Sequence, residues 1–325
     1  MNLQPTDPKG PIPASSAAGR SFIQAPEGRL EESLERLMAP PGTRNRLQAQ
    51  RFLDYARETG LPLEHLWSSV DGEDRIIETV LAVPNPGRTA MMFTTRPDSP
   101  EQAESVGILI DHVCGRLSEH GLHLVQSLPE PKDLLDRKAF LAGGFLELAV
   151  LDYMQRPMPR PGKTPRPDWP EEVRLAAYDD SRRADLLRIL NASYEQTLDC
   201  PGLTGLRETE DILQGHRATG VFDPALWTLL YLADRPQGAL LLNPAPTQKT
   251  VELVYMGLAL PARGRGLGRN LLRHGLGLLA SREEKTVTVA ADEQNSPALA
   301  LYRGEGFHSI TRRVAMIRSL RRKPL

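Results

Sequence analysis

The sequence predicts an α/β (α+β) fold laid out twice along one chain, and three observations carry the prediction. Strand-like and helix-like runs alternate in both halves, a proline-dense stretch parts the halves, and in the second half a glycine-rich turn opens a helix directly after an apolar strand. At 325 residues the chain has room for two domains of ordinary size. Its composition, 40% hydrophobic and 25% charged, suits buried cores beneath a soluble surface.

Residues 1–20 are rich in Pro, Ser, Ala and Gly and are expected to form a disordered tail. Apolar alternation over 64–71, 75–83 and 88–95 reads as three strands. A long helix follows over 99–121, where Ser99 and Gln102 make a capping-box pattern and Pro100 suits the first helical position. Strand 122–128, helix 133–144 and strand 145–156 complete the first half. Six prolines between Pro157 and Pro170 exclude helix and central strand, so 156–171 is expected to be an extended linker. Beyond it, 173–179 reads as a strand and 181–198 as an amphipathic helix capped by Ser181, followed by a second helix near 208–218. Strands at 226–233, 238–243 and 251–260, a helix at 265–281, a strand at 286–291, a short helix at 297–304 and one or two final strands complete this half. Both halves, 21–155 and 172–320, close on strand, helix, strand, short helix ending near Gly-Phe, strand. Two copies of one fold are therefore expected, as an intrachain pseudo-dimer in a monomer.

Net charge is −1, which argues against a general nucleic-acid binder. The balance is uneven, at −5 over residues 1–160 and +4 over 161–325, so the second half suits an anionic ligand. Part of that excess is Arg318, Arg321, Arg322 and Lys323, with 321–325 expected as a solvated basic tail. No run reaches the ~18 apolar residues of a membrane span, and no apolar stretch follows the N-terminal charges, so a cytoplasmic protein with no membrane partner is expected. Cys114 and Cys200 lack metal or redox spacing. His120 and His123 flank Gly121 at a helix end, and no metal is assigned.

The most informative segment runs Leu260-Pro-Ala-Arg263-Gly264-Arg265-Gly266-Leu267-Gly268-Arg269. Closely spaced glycines turn tightly and present bare N–H groups at a helix N-terminus, where unpaired donors and the helix dipole favour a phosphate or diphosphate. A P-loop is excluded because GxxxxGK[ST] is absent, and GxGxxG fails from both Gly264 and Gly266. A plain turn with its arginines in solvent is the alternative.

Arg263-x-x-Gly266-x-Gly268, between an apolar strand and a helix, resembles the acyl-CoA-binding motif of the GCN5-related N-acetyltransferase (GNAT) family. Asn295-x-x-Ala298-x-x-x-Tyr302, followed by Gly306-Phe307, resembles that family's second signature. The resemblance covers residues 172–320 and is only topological over the first half. It implies tandem GNAT-like domains, each a mixed, mostly antiparallel sheet flanked by helices. It implies acetyl-CoA as cosubstrate, its diphosphate cradled by backbone N–H groups from Arg265 to Arg269, including Leu267, with Arg263 near the phosphates or bracing the loop.

By the same resemblance the strand holding Gly257 splays from the next one. The N–H of Leu258 would then polarise the thioester carbonyl, with Leu260 beside the cofactor. Glycine inside a strand independently marks a bulge or a close approach. Asn295 would bond CoA or serve the helix start, where Ser296 reads as cap and Pro297 as first residue. Tyr302 would protonate the leaving thiolate, a phenol of pKa ~10 being a suitable acid for a thiolate near ~8.5. Glu252 is the candidate general base, because alternation puts it on the face of Val254 and Met256 and a charge there asks for a function. Asp292 and Glu293 are further candidates for amine binding. The acceptor expected is a small-molecule or peptide amine; a catalytically silent acyl-CoA sensor is the alternative.

The first half reads differently at the matching turn, Thr94-Thr95-Arg96-Pro97-Asp98-Ser99-Pro100. It has no glycine, a side-chain cap, and acids at Asp98, Glu101 and Glu104. A degenerate domain without a CoA seat is expected there.

Overall fold

The structure is a computed structural model and describes residues 20–40, 43–163 and 165–321. The tail expected over residues 1–20 lies outside the described residues except for Arg20, as do residues 322–325 of the expected basic tail.

The first half comprises β1 (Ser21–Gln24), α1 (Leu30–Leu37), α2 (Arg46–Thr59), β2 (Leu66–Val70), β3 (Ile76–Asn85), β4 (Thr89–Thr94), α3 (Pro100–Glu119), β5 (Leu124–Ser127), α4 (Leu134–Ala142) and β6 (Leu146–Pro157). The second comprises β7 (Val173–Ala177), α5 (Arg183–Tyr194), α6 (Thr209–Ala218), β8 (Trp227–Leu232), β9 (Arg235–Ala245), β10 (Thr250–Leu258), α7 (Leu267–Leu278), β11 (Thr286–Asp292), α8 (Ser296–Gly304) and β12 (His308–Ser319). The element order anticipated from periodicity is present throughout 64–320. Two helix starts differ. Ser181 does not cap α5, because its hydroxyl bonds Asp179 in a tight turn ahead of the helix. At α8 the cap is Asn295, whose side chain accepts the Ala298 N–H at 3.3 Å, rather than Ser296.

All twelve strands form one mostly antiparallel sheet in the order β1-β2-β3-β4-β5-β12-β6-β11-β10-β9-β8-β7. The last strands of the halves are exchanged: β12 pairs with β5 of the first half, and β6 pairs with β11 of the second. Each carries core residues across. Met154 of β6 packs in the cluster around Leu267, Leu271 and Leu276 of α7, while Val314 and Met316 of β12 pack in the cluster around α3. Burying each such side chain contributes roughly 1.5–3 kcal/mol, so neither half holds its own core complete.

Ion pairs reinforce the seam. Arg88 Nη2, beside the β3–β4 turn, lies 2.7 Å from the buried carboxylate of Asp211 on α6. Arg318 and Arg321, expected in a solvated run, are both engaged. Arg318 bonds Asp111 at 2.6 Å and Arg321 bonds Glu208 at 2.5 Å.

Candidate active site

β10 and β11 are parallel neighbours, paired only from Thr250–Glu252 to Thr286–Thr288. Beyond Glu252 they separate, and a cavity of about 290 Å³ occupies the split. It is lined by both strands, by the segment after α5, and by Arg263, Asn295, Ala298 and Tyr302.

A bulge at Val254 produces the divergence, since Leu253 faces Leu242 of β9 and Tyr255 already faces Leu241. The extra residue also reverses the alternation. Before it Val251 and Leu253 pack toward α7; after it Met256 and Leu258 do, while Tyr255 joins the cluster around α5. Glu252 therefore does not share a face with Met256, as uninterrupted alternation would require, but looks to the α5 side. Glycine 257 is not the bulge: the Tyr255 hydroxyl, bonded to Ser193, fills the place of its missing side chain.

The antiparallel ladder continues to the end of β10, where the Ala259 N–H donates to Gln237 O at 2.8 Å. Hydrogen-bonded and non-bonded pairs alternate along such a ladder. The N–H of Leu258 thus turns away from β9 and toward the split. Its carbonyl accepts Arg263 Nε at 2.9 Å, and the same guanidinium donates to Ser193 O at 2.8 Å and Gln196 O at 3.1 Å. Arg263 is a brace that ties the end of β10 to the end of α5. Leu260 follows in a short turn, and Leu267 is buried at the start of α7.

Gly264 and Gly266 hold φ of +71° and +75°, a region costly to residues with a Cβ. No atom lies within 4 Å of the side-chain position at either. The N–H groups of Gly264, Arg265, Gly266, Leu267 and Gly268 have no backbone acceptor among the described residues. That of Arg269 is taken by Gly266 O at 3.1 Å, so the row of free donors begins and ends one residue earlier than the sequence suggested. Free donors converging at a helix start fit a diphosphate. Nearby guanidiniums are paired: Arg265 with Glu172 at 2.6 Å, and Arg269 with Glu305 at 3.6 Å, where Arg273 also binds. The backbone, not an unpaired arginine, presents the positive potential.

Tyr302 is 6% exposed, lines the cavity, and has no hydrogen-bond partner for its hydroxyl among the described residues. Burial, and then the charge of Asp199, raise its pKa and keep it a phenol. Glu252 is half-buried with no ion pair among the described residues, and burial raises its carboxyl above the ordinary range. Tyr302 packs with the α7 cluster and Glu252 points to the other face, so the two flank the split from opposite sides.

Sequence reasoning passed over Asp199. The helix expected to reach 198 stops at Tyr194, and residues 195–200 fold over the cavity with Gln196 and Cys200 at φ of +50° and +47°. A reciprocal clamp holds them: Asp199 Oδ1 accepts the Asp292 N–H at 2.9 Å, and Asp292 Oδ2 accepts the Cys200 N–H at 3.1 Å. Asp292, a candidate for binding the amine, is buried and committed to this clamp, and Glu293 pairs with Arg312 at 3.6 Å. Asp199 lines the cavity wall, where desolvation of its carboxyl raises its pKa above the ordinary range. Nothing in an Asp-Cys-Pro tripeptide marks it; only the clamp does.

A parallel pair that parts beside a bulge, next to a helix start with free backbone donors, is the layout that the resemblance to an N-acetyltransferase fold implies. Residues 184–307 match the Acetyltransferase (GNAT) family. Over 226 residues the chain is 30% identical to a mycothiol acetyltransferase of Thermomonospora curvata, covering 64% of this chain and 72% of that protein. The fold is similar to a GCN5-related N-acetyltransferase from Sphaerobacter thermophilus, with TM-score 0.57 and 17% identity over 93% of this chain and 96% of that one. It is also similar to a tandem GNAT protein from the clavulanic acid biosynthesis pathway, with TM-score 0.51 and 14% identity over 94% and 100%. The chain belongs to the GNAT family and is an acetyltransferase of the tandem type. Among the described residues no helix is long and apolar enough to cross a membrane.

Proposed function

We propose that the protein transfers an acetyl group from acetyl-CoA to a primary amine by direct attack in a ternary complex. The observation that supports this most is the alignment of donors along one path. The free N–H groups of Gly264–Gly268 suit the diphosphate, the bared edge of β10 suits the amide-bearing arm, and the Leu258 N–H suits the thioester oxygen.

In this reading the amine nitrogen forms a bond to the thioester carbon while the carbon–sulfur bond breaks. Glu252, on the α5 side, takes the proton from nitrogen, directly or through water. Tyr302, on the opposite side, gives a proton to the departing sulfur. Neither cysteine is needed as nucleophile; burial pushes both thiols up to about 12. Most of the rate enhancement comes from placing the amine against a polarised carbonyl.

The test is acetyl-CoA titration followed by an assay of thiol release over a panel of primary amines, beginning with the acceptor of the mycothiol acetyltransferases. One equivalent bound and steady turnover with an amine are expected. Binding without turnover on any amine would leave an acyl-CoA sensor, and no binding would remove the basis of the proposal.

A further inference from the structure

The exchanged strand β6 brings a first-half residue to the acceptor side of the second half's split. Register pairs Glu252 with Thr288, Thr288 with Gln155, and Ala290 with Tyr153. Side chains of paired residues, and of residues two apart on a strand, project to one face. Glu252, Thr288, Ala290 and Tyr153 therefore share the face turned away from α7. Adjacent paired strands lie about 4.8 Å apart, which puts Glu252 about 10 Å across β11 from Gln155, with Tyr153 two residues further along β6. Tyr153 stands opposite Ala290, so only a methyl group projects from β11 on this face between the phenol and the split. Ala290 lines the cavity in the split, so Tyr153 stands next to the place where an amine would meet the thioester.

Neither Glu252 nor Tyr153 has a hydrogen-bond partner for its side chain among the described residues. Burial raises the Tyr153 hydroxyl's pKa first, and the next contribution is the charge of Glu252, so Tyr153 lies within the field of that carboxylate. The other groups acting on Tyr153 are occupied or inert toward protons. Arg313 of β12 is bound to Glu130 at 2.9 Å, and the Cys200 thiol beneath the clamp is pushed up to about 12. Asp199, the remaining acid of the roof, is held by the Asp292 N–H.

We propose that Tyr153 is a positioning residue for the acceptor: its hydroxyl and the Glu252 carboxylate hold, across Ala290, the primary amine or the water through which the amine's proton leaves. This rests on the N-acetyltransferase reading above. It gives the first half a part in the reaction that needs no second cofactor seat, because the active site is completed by a strand from the other half.

The test compares Tyr153→Phe with wild type and with Glu252→Gln, in steady-state kinetics against the amine across pH, with acetyl-CoA titration and thermal melting alongside. Tyr153→Phe should bind acetyl-CoA like wild type and melt alike, yet lose about tenfold in kcat/KM for the amine, the scale of one hydrogen bond to an ion. The water held by the Tyr153 hydroxyl donates to the Glu252 carboxylate, and a hydrogen bond donated to a carboxylate favours its charged form. Its loss should therefore move the acidic limb of the pH profile to higher pH. Unchanged kinetics and pH profile in Tyr153→Phe, with Glu252→Gln impaired, would overturn the role of Tyr153 and leave the transferase reading standing. Loss of acetyl-CoA affinity or of melting temperature in step with activity would also overturn it, by making Tyr153 structural. Failure of wild type to acetylate any amine would sink both.

Discussion

Glutamate in place of Gly266 separates the cofactor seat from the stability of the fold. Gly266 holds φ of +75°, where a residue with a Cβ costs about 1–2 kcal/mol. A side chain there meets nothing within 4 Å, so no steric cost adds to this. A carboxylate at the first turn of α7 recovers about 0.5 kcal/mol from the helix dipole. The folded protein should lose only about 1 kcal/mol, a fall in Tm of about 2–4 °C.

The cofactor meets a different balance. Under the proposed assignment the new carboxylate shares this turn with the diphosphate, and a separation of about 5 Å between the two charges sets the scale. At an effective dielectric of about 20 that repulsion is about 3 kcal/mol, more than 100-fold in affinity before any steric exclusion. Calorimetric titration of acetyl-CoA into wild type and Gly266→Glu, beside thermal melts, reads both quantities. A variant that stays folded and binds acetyl-CoA within threefold of wild type would refute the assignment of the diphosphate to this turn.

Three further outcomes are expected. Tyr302→Phe should lower kcat by roughly 10²-fold or more, the usual scale of a general acid, while acetyl-CoA affinity and Tm stay near wild type because the hydroxyl holds no partner; unchanged turnover would remove the phenol from the reaction. Asp136, in α4, has its carboxyl raised to about 6 by burial, against the attraction of Arg96. The folded state then binds this proton more tightly than the unfolded chain, so the group's contribution worsens as pH rises from about 4 to about 6 and stays unfavourable above. Asp136→Asn should raise stability at pH 8 by on the order of 1–2 kcal/mol and lose that advantage by pH 4; equal melting shifts at both pH values would contradict this. Finally, residues 166–325 expressed alone lack β6 and bare the edges of β11 and β12. That piece should be insoluble alone and soluble when co-expressed with residues 1–165; a folded monomer from the second half alone would show that the exchange is not needed.

What the sequence displayed, it displayed through local chemistry. Glycines at 264, 266 and 268 can be read in one dimension because the donors they expose belong to the same few residues. Periodicity likewise located α3, α7 and the strands between them. β1, four residues long, gave little signal, whereas α1 and α2 went unread although their apolar periodicity exceeds that of α3 and Asn45 and Gly60 bracket α2. The face of Glu252 went astray because one residue inserted at Val254 reverses every later side chain, and a bulge without glycine or proline leaves no mark in the sequence. The clamp between Asp199 and Asp292 joins positions 93 residues apart. The strand exchange was equally hidden, since β6 and β12 look like ordinary final strands whichever sheet they enter.

The first half keeps the same sheet geometry beside a helix start of different chemistry. β4 and β5 pair only from Thr89–Met91 to Leu124–Gln126 and then part, as β10 and β11 do, so the fold still opens a split in the right place. At the helix start beside it, however, Ser99 Oγ accepts the Gln102 N–H at 3.1 Å, and Gln102 Oε1 accepts the Asp98 N–H at 2.7 Å. These donors would have faced a diphosphate; here the helix's own cap has consumed them, and Asp98 and Glu101 add negative charge at the same end. We propose that the split in the first half therefore seats no cofactor. The deciding variable is whether the first N–H groups of the following helix are left free, and in the second half positive-φ glycines leave them free where in the first half a serine and a glutamine do not.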